Sequence, residues 1–182
     1  MLRLIVLLVA AVCSQAATLA RLSMDDMIGQ SSDIVRARVV SSQAAFRGPS
    51  GASGMIYTWY TLQVVERWKG GSGAQIQVAV PGGEAGGFRQ TIAGAPVLEN
   101  GKDYVLFIWT SRSGLPQIIG LAQGLFDVKR DLNGRLGARR AAITEPMLDP
   151  ITRKQVADAG AAYAYDDLKN VVLSAVSGSA KQ

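Results

Sequence analysis

The sequence predicts an all-β protein with flanking helices, built as a small five- to seven-stranded barrel or a strongly bent sheet. Short segments of alternating apolar and polar residues recur between positions 33 and 131. Clusters of glycine, serine and proline separate these segments, as turns and loops do. Apolar residues recur at helical spacing after residue 165, which predicts a terminal helix that closes or covers the sheet.

The first sixteen residues have the layout of a secretory signal peptide. Arg3 precedes an apolar run from 4 to 13, and small residues stand before the expected cut after Ala16. The run is shorter than the roughly 20 apolar residues of a membrane-spanning helix. We therefore expect an exported protein, periplasmic or extracellular, without a transmembrane segment after cleavage. The alternative is a lipid-modified Cys13, but Val12 stands where a small residue is normally required.

The N-terminal region, residues 17–31, is predicted to contain a short helix. Ser23 suits the N-cap position, and Asp26 three residues later completes a variant of the capping box. Asp25 and Asp26 also suit the positive end of the helix dipole. We therefore interpret them as residues of a helix start rather than as a catalytic carboxylate pair.

The β domain is predicted to span residues 32–142. Its first strand, from Asp33, alternates small apolar residues with Arg36 and Arg38, which predicts one buried and one outward face. The segment 103–109 is apolar on both faces, so a central strand with a covered outer side is expected there. Alternation in the two intervening strands places these side chains in the core: Ile56, Tyr60, Leu62, Val64, Trp68, Ile76, Val78 and Val80.

Three shorter strands complete the β domain. The segments FRQTI, PQIIGL and GLFDVKR carry the composition and alternation of strands. The dipeptide Asn133–Gly134 is a signal for a tight hairpin turn after the last of them.

The C-terminal part is predicted to hold an irregular linker at 143–164, a helix at 165–177 packed on the barrel, and a tail at 178–182. Two prolines keep the linker irregular. Asp166 and Asp167 stand at the helix start, where the dipole favours acids. The apolar stripe of this helix is expected to be buried: Leu168, Val171, Val172, Ala175 and Val176.

The residue inventory excludes several chemistries. The chain has no histidine, and its one cysteine, Cys13, lies in the predicted signal peptide. Ser-His-Asp and Cys-His catalysis and zinc sites built on His or Cys are therefore excluded. The formal net charge of +5 is a mild bias toward anionic partners, far from the strongly basic surface of a nucleic-acid binder. We expect no enzymatic activity, no cofactor, no metal and no nucleic-acid partner.

Five blocks of sequence between residues 33 and 131 carry a resemblance to known proteins. They are DIVRARVV, IYTWYTLQVVERWKG, VPGGEAGG, GAPVLENGKDYVLFIW and GLAQGLFDV. Their order resembles that of a group of uncharacterised bacterial exported proteins. More distantly, it resembles the OB-like barrel of the netrin-like domain, the fold class of the tissue inhibitors of metalloproteinases. The resemblance implies an OB-like barrel and an exported protein, but no established activity. Those inhibitors depend on a free N-terminal cysteine and disulfides, which the mature chain lacks, so their mechanism is not carried over.

The glycine-rich loop 80–87 is predicted to be architectural. A phosphate cradle usually carries a lysine and a hydroxyl, whereas Glu84 in this loop would repel phosphate. Pro81 is expected to end the preceding strand. The alternative is that the loop presents Glu84 to a cationic group on a partner. Four glycines are expected to supply positive φ angles or close backbone approach: Gly82, Gly83, Gly86 and Gly87.

The predicted binding face is the outward side of the long strand that begins near residue 55. Tyr57 and Trp59 lie there, and aromatic pairs on OB-like sheets stack bases or sugar rings. The alternative is that a helix or loop covers them. Arg36 and Arg38 would add charge if their strand pairs alongside, which suits an anionic sugar polymer or an acidic peptide. A second basic feature is either a contact for anionic polymers or a solvated hairpin: Lys129, Arg130, Arg135, Arg139 and Arg140.

These observations predict an exported, noncatalytic binding or interaction module. Its expected partner is an envelope or extracellular protein or an anionic polysaccharide. One alternative is an inhibitor of a secreted protease, acting through Glu84 or the loop 47–54. Another is a small envelope hydrolase that uses carboxylates, which would require a deep cleft with two converging acids.

Overall fold

The computed structural model describes residues 18–47 and 54–179. The predicted signal peptide, residues 48–53 of the predicted inhibitory loop and the last residues of the tail lie outside the described residues. The helices are α1 (Met24–Gln30) and α2 (Tyr165–Ser179). The long strands are β2 (Asp33–Arg47), β3 (Met55–Lys69), β4 (Gln75–Pro81), β7 (Asp103–Thr110), β9 (Leu125–Arg130) and β10 (Leu136–Arg140). The short strands are β1 (Leu19–Ala20), β5 (Gly83–Ala85), β6 (Phe88–Gln90), β8 (Pro116–Ile118), β11 (Met147–Leu148), β12 (Gln155–Val156) and β13 (Ala161–Ala164).

Eight strands form one antiparallel sheet, which confirms the predicted all-β fold with flanking helices. The order is β13-β10-β9-β7-β2-β3-β4, and β8 pairs with the free part of β7. The sheet therefore has one strand more than the predicted maximum of seven. It curls until β4 lies beside β8, but the pairings of the described residues leave it open. No helix in the described parts of the chain is long and apolar enough to cross a membrane.

Two cores occupy the two faces of this sheet, and β7 contributes to both. Tyr104, Leu106 and Ile108 point into the curl of the sheet, where they pack against apolar residues of β2, β3 and β4. Val105 and Phe107 point to the other face, which α1 and α2 cover. Both sides of β7 are buried, so the prediction of a central strand with a covered outer side is confirmed.

The capping box predicted for the first helix is present. The amide of Asp26 donates to the Ser23 hydroxyl at 3.0 Å, and the Ser23 amide donates to the Asp26 carboxylate at 3.0 Å. These bonds satisfy amides that the first turn of a helix leaves without partners. Met27 and Ile28 then place the buried side of α1 against the sheet.

The prediction that Trp68 shares a face with Leu62 is wrong. The ladder between β2 and β3 shifts register near the end of β3, so Ala37 pairs with Val64 and the next pair joins Arg36 to Glu66. Such a β-bulge adds a residue to one strand and moves the following side chains to the other face. Trp68 is therefore buried under α2 rather than inside the curl.

The terminal helix is confirmed, but the predicted burial of Val171 is wrong. Leu168 and Val172 are fully buried, whereas Val171 is 44% exposed. The sheet and α1 cover only a narrow stripe of α2, and Val171 lies beside that stripe.

The segment 143–164 is not the irregular linker that its prolines predict. It holds β11, β12 and β13, and β11 pairs in parallel with β1 near the start of the chain. Strands of two residues carry too little alternation to be recognised in a sequence. The pairing of β1 with β11 also depends on residues more than a hundred positions apart, so local patterns do not predict it.

The glycine-rich loop has the backbone conformation that was predicted for it. All four of its glycines have positive φ, and β4 ends at Pro81. A Cβ atom on Gly83 would lie 2.5 Å from Oγ1 of Thr58 and 3.0 Å from Cβ of Ala44. The Thr58 hydroxyl is fixed because it donates to the carbonyl of Gly82 at 2.8 Å. The backbone of the loop therefore packs directly on β3.

We expect Gly83→Ala to lower the free energy of unfolding by about 1–3 kcal/mol, because alanine is strained at a φ of 131° and its Cβ would contact Thr58. The control is Gly87→Ala, where φ is 80° but no other atom lies within 4 Å of the new Cβ. Urea denaturation of both variants measures the difference. Equal losses would show that close packing at Gly83 has no energetic role.

Candidate ligand-binding face

The outer sides of β2, β3 and β4 form a regular array of side chains, which we call the outer grid. Adjacent rows are two residues apart along β3 and β4, so the four rows span roughly 20 Å, while on β2 a bulge at Val40 separates the first two rows by three residues. The first two rows are polar, whereas the last two hold the aromatic residues Trp59 and Tyr57 among small residues and Gln43. Read across β2, β3 and β4, the rows are Arg38–Gln63–Gln75, Ser41–Thr61–Gln77, Gln43–Trp59–Ala79 and Ala45–Tyr57–Pro81.

The polar half of the outer grid is linked by hydrogen bonds between neighbouring strands. Nε2 of Gln75 donates to Oε1 of Gln63 at 3.4 Å, and Nε2 of Gln77 donates to Oγ1 of Thr61 at 3.3 Å. Gln63, Gln75 and Gln77 are all exposed. Their amides thus support one another and still present donors and acceptors to solvent.

The aromatic half holds the two predicted binding aromatics. Tyr57 and Trp59 are half-buried, and neither belongs to the core that α1 and α2 cover. Small or flat residues stand on either side of them, with Ala79 next to Trp59 and with Ala45 and Pro81 flanking Tyr57. Part of each ring system is therefore accessible from the solvent side of the sheet.

A groove of about 360 Å³ lies beside the first row of the outer grid, and we call it the cationic groove. It joins the predicted arginines of β2 to part of the predicted basic cluster, because β9 lies close to β2 in the sheet order. Five cationic side chains and two carboxylates line it: Arg36, Arg38, Lys102, Lys129, Arg130, Asp103 and Asp127.

Asp103 holds the two arginines of the cationic groove in place. Its carboxylate accepts from Nη2 of Arg36 at 2.7 Å and from Nε of Arg38 at 2.6 Å. Burial opposes ionisation of this carboxyl, but the hydrogen bonds from Arg38 and Arg36 outweigh it and lower the pKa of Asp103. The carboxylate therefore stays ionised and keeps both guanidinium groups oriented.

The two arginines play different parts. Arg36 is half-buried, and its guanidinium carbon lies 5.2 Å from the centre of the Tyr165 ring at the start of α2. Arg38 is 58% exposed, and only its Nε is used by Asp103. The terminal nitrogens of Arg38 are therefore available to a ligand, whereas Arg36 mainly supports the groove.

Lys129 and Arg130 supply the exposed charge on the far wall of the cationic groove. Arg130 uses one terminal nitrogen to donate to the carbonyl of Gly134 at 2.7 Å. Lys129 forms no ion pair within the described part of the chain. Lys102, in contrast, donates to Glu99 at 2.5 Å, so its charge is largely compensated.

The start of α2 is tied to the sheet beside the cationic groove. The Tyr165 hydroxyl donates to Glu66 at 2.5 Å, and Lys169 pairs with the same carboxylate. Burial alone would raise the pKa of Glu66, but the hydrogen bonds from Lys169 and Tyr165 have the larger effect and lower it. Burial and the bond to Glu66 raise the pKa of Tyr165, which keeps its hydroxyl a donor. Arg36 is therefore supported from two sides.

Glu84 is the one predicted site residue that lies elsewhere. It stands on the β5–β6 hairpin and pairs with Arg89 across it. That hairpin packs against Thr58 and Ile56, on the side of β3 opposite to the outer grid. The structure thus brings Arg36 and Arg38 together with the outer grid that holds Tyr57 and Trp59, and it leaves Glu84 apart.

Asp103 and the glutamines of the outer grid were not among the predicted site residues. Lys102 and Asp103 are charged and stand at the start of a strand that is apolar on both faces, so the sequence could have predicted that they lie at the surface. The alternation that predicts Tyr57 and Trp59 as outward also predicts Gln63, Gln75 and Gln77 as outward. Only the pairing of the strands shows that these side chains are neighbours.

A larger cavity of about 660 Å³ contains three acids, Asp26, Asp149 and Asp158. Hydrogen bonds from Ser23 lower the pKa of Asp26, and hydrogen bonds from the amide and hydroxyl of Thr152 lower the pKa of Asp149. The bidentate pair with Arg140 lowers the pKa of Asp158. Each of the three carboxylates is thus engaged by hydrogen-bond donors close to it in the structure.

Within residues 18–47 and 54–179, no group of three or more His, Cys, Asp or Glu side chains is placed to hold a metal ion.

The resemblance to exported proteins and to the netrin-like fold stays a prediction. No protein-family model matches the chain, and no curated protein shows significant similarity to it.

Proposed function

We propose that this protein is an exported, noncatalytic binding module whose ligand is an anionic polymer. The proposal rests on the cationic groove, which Arg38 of β2 and Lys129 and Arg130 of β9 line near the end of the outer grid. The predicted signal peptide supports the exported location.

The chemistry of the cationic groove suits carboxylate or sulfate groups. A guanidinium that is already oriented loses little conformational freedom when it binds a second anion, and its planar nitrogens match a carboxylate. Asp103 orients Arg38 in this way while leaving its terminal nitrogens accessible. Lys129 is exposed and adds a further positive charge to the wall of the groove.

A polymer suits this arrangement better than a small ion. The groove opens onto a surface that continues along three strands, so a ligand held at Arg38 has further contacts available toward Trp59. Repeated weak contacts along one chain raise the overall affinity without requiring a deep pocket.

The test is a titration with polygalacturonate followed by calorimetry at low and high salt. We expect Arg38→Ala/Lys129→Ala to weaken binding about tenfold or more, since hydrogen bonds to charged groups contribute about 1.5–3 kcal/mol each. High salt should weaken binding of the unaltered protein, because exposed charges are screened. The matched control is Arg112→Ala/Lys154→Ala, which removes the same charges from exposed positions outside the groove. Equal affinities in all three proteins, or no binding at all, would overturn the proposal.

A further inference from the structure

We infer that the polymer is an anionic polysaccharide, and that it lies across the outer grid from Arg38 to Trp59. This inference rests on the proposed function and names its ligand class. It depends on the composition of the grid, on the setting of its aromatic residues and on its length.

The composition of the outer grid favours sugars over an acidic peptide. Of its twelve positions only Arg38 is charged, so carboxylates beyond the first row would find no cation. An acidic peptide carries a carboxylate on most residues, and these groups would be placed on uncharged amides. A uronate polymer also carries a carboxylate on each sugar, but every sugar adds neutral hydroxyls and a C–H face, which a glutamate side chain lacks. Hydroxyls both donate and accept hydrogen bonds, as do the amides of Gln63 and Gln77 and the hydroxyl of Thr61.

The aromatic end of the outer grid has the form of a stacking surface. Trp59 is half-buried, and its neighbour on β4 is Ala79, a small residue that is itself fully buried. The C–H face of a sugar ring packs on an aromatic ring much as a base does, with little demand on sequence or substituents. Tyr57 continues the surface in the next row.

The length of the outer grid sets a requirement on the ligand. Arg38 and Trp59 stand two rows apart, which is roughly 14 Å. A single acidic sugar can reach only one of the two sites, so its binding should not depend on Trp59. An oligosaccharide of several units can occupy both, and each site then raises the effective concentration of the ligand at the other.

The experiment compares galacturonate oligomers of graded length with polyglutamate of matched charge. For the longest oligomer we expect Trp59→Ala to weaken binding about tenfold, and Gln63→Ala/Gln77→Ala to weaken it by a smaller factor. Neither variant should change the affinity for galacturonate monomer or for polyglutamate. The aromatic control is Phe88→Ala, which removes an exposed ring from the β5–β6 hairpin on the other side of the sheet. It should bind every probe as the unaltered protein does.

The outcomes separate the inference from the proposed function. If the groove variant Arg38→Ala/Lys129→Ala binds every anion normally, the proposed function itself fails. If that variant loses affinity while the Trp59 and glutamine variants bind the long oligomer normally, the function stands and the inference is wrong. The inference is also wrong if Trp59→Ala weakens polyglutamate as much as the oligosaccharide. The glutamine variant changes only exposed side chains, so it decides the matter if Trp59→Ala does not fold.

Discussion

Replacing Asp158 with alanine is expected to lower the free energy of unfolding by about 3–5 kcal/mol. The Asp158 side chain is only 8% exposed, and its oxygens accept from Nη1 and Nη2 of Arg140 at 2.6 and 2.8 Å. It also accepts from the amide of Ile143 at 2.9 Å. Without this carboxylate, the guanidinium of Arg140 is left buried and unpaired, with an exposed fraction of 13%. Urea denaturation monitored by circular dichroism measures the loss.

A double-mutant cycle distinguishes this pairing from a loss of packing. We expect Arg140→Met/Asp158→Ala to cost less than the sum of the two single replacements, because the double variant contains no unpaired buried charge. Asp25→Ala, which removes an exposed carboxylate from the start of α1, should cost no more than about 1 kcal/mol. A loss below 1 kcal/mol for Asp158→Ala, or simple additivity in the cycle, would contradict the role given to this pair.

Leu106→Ala is expected to lower the free energy of unfolding by about 2–5 kcal/mol. Leu106 is fully buried at the centre of β7 and packs with the apolar residues of β2, β3 and β4 inside the curl. Both faces of β7 are covered, so the surrounding structure has little freedom to fill the cavity that the substitution leaves. The same denaturation experiment measures the effect.

The matched control is Leu132→Ala, which makes the same chemical change at the exposed tip of the β9–β10 turn. That variant should differ from the unaltered protein by no more than about 0.5 kcal/mol. A loss below 1 kcal/mol for Leu106→Ala, or a loss equal to that of Leu132→Ala, would show that β7 is not the centre of the sheet.

Much of the fold follows from period-two alternation in single strands. The apolar residues on both faces of 103–109 predict β7 as the central strand, and Ser23 with Asp26 predicts the start of α1. Alternation does not predict bulges, so it places Trp68 on the wrong face after the register shift. It also does not show how wide a stripe of α2 is covered, which is why Val171 is exposed against expectation.

The candidate site was predictable only in part, for a related reason. The sequence predicts that Arg38, Tyr57 and Trp59 point outward. It predicts that they are neighbours only if their strands pair, and β2 does pair with β3. The sequence does not predict that Lys129 and Arg38 line one groove, because this depends on β9 entering the sheet next to β7. The bonds from Asp103 to the arginines depend on the same long-range pairing.

The most direct test of a ligand on this face is to observe its side chains by nitrogen-15 NMR while galacturonate oligomers are added. We expect the Trp59 indole signal and the Arg38 Nε signal to shift together and to saturate at one ligand concentration. The indole signal of Trp68, which is buried under α2, should stay unchanged. If the Trp59 and Arg38 signals do not move at concentrations that saturate binding in calorimetry, or if Trp68 alone moves, the ligand does not lie on the outer grid.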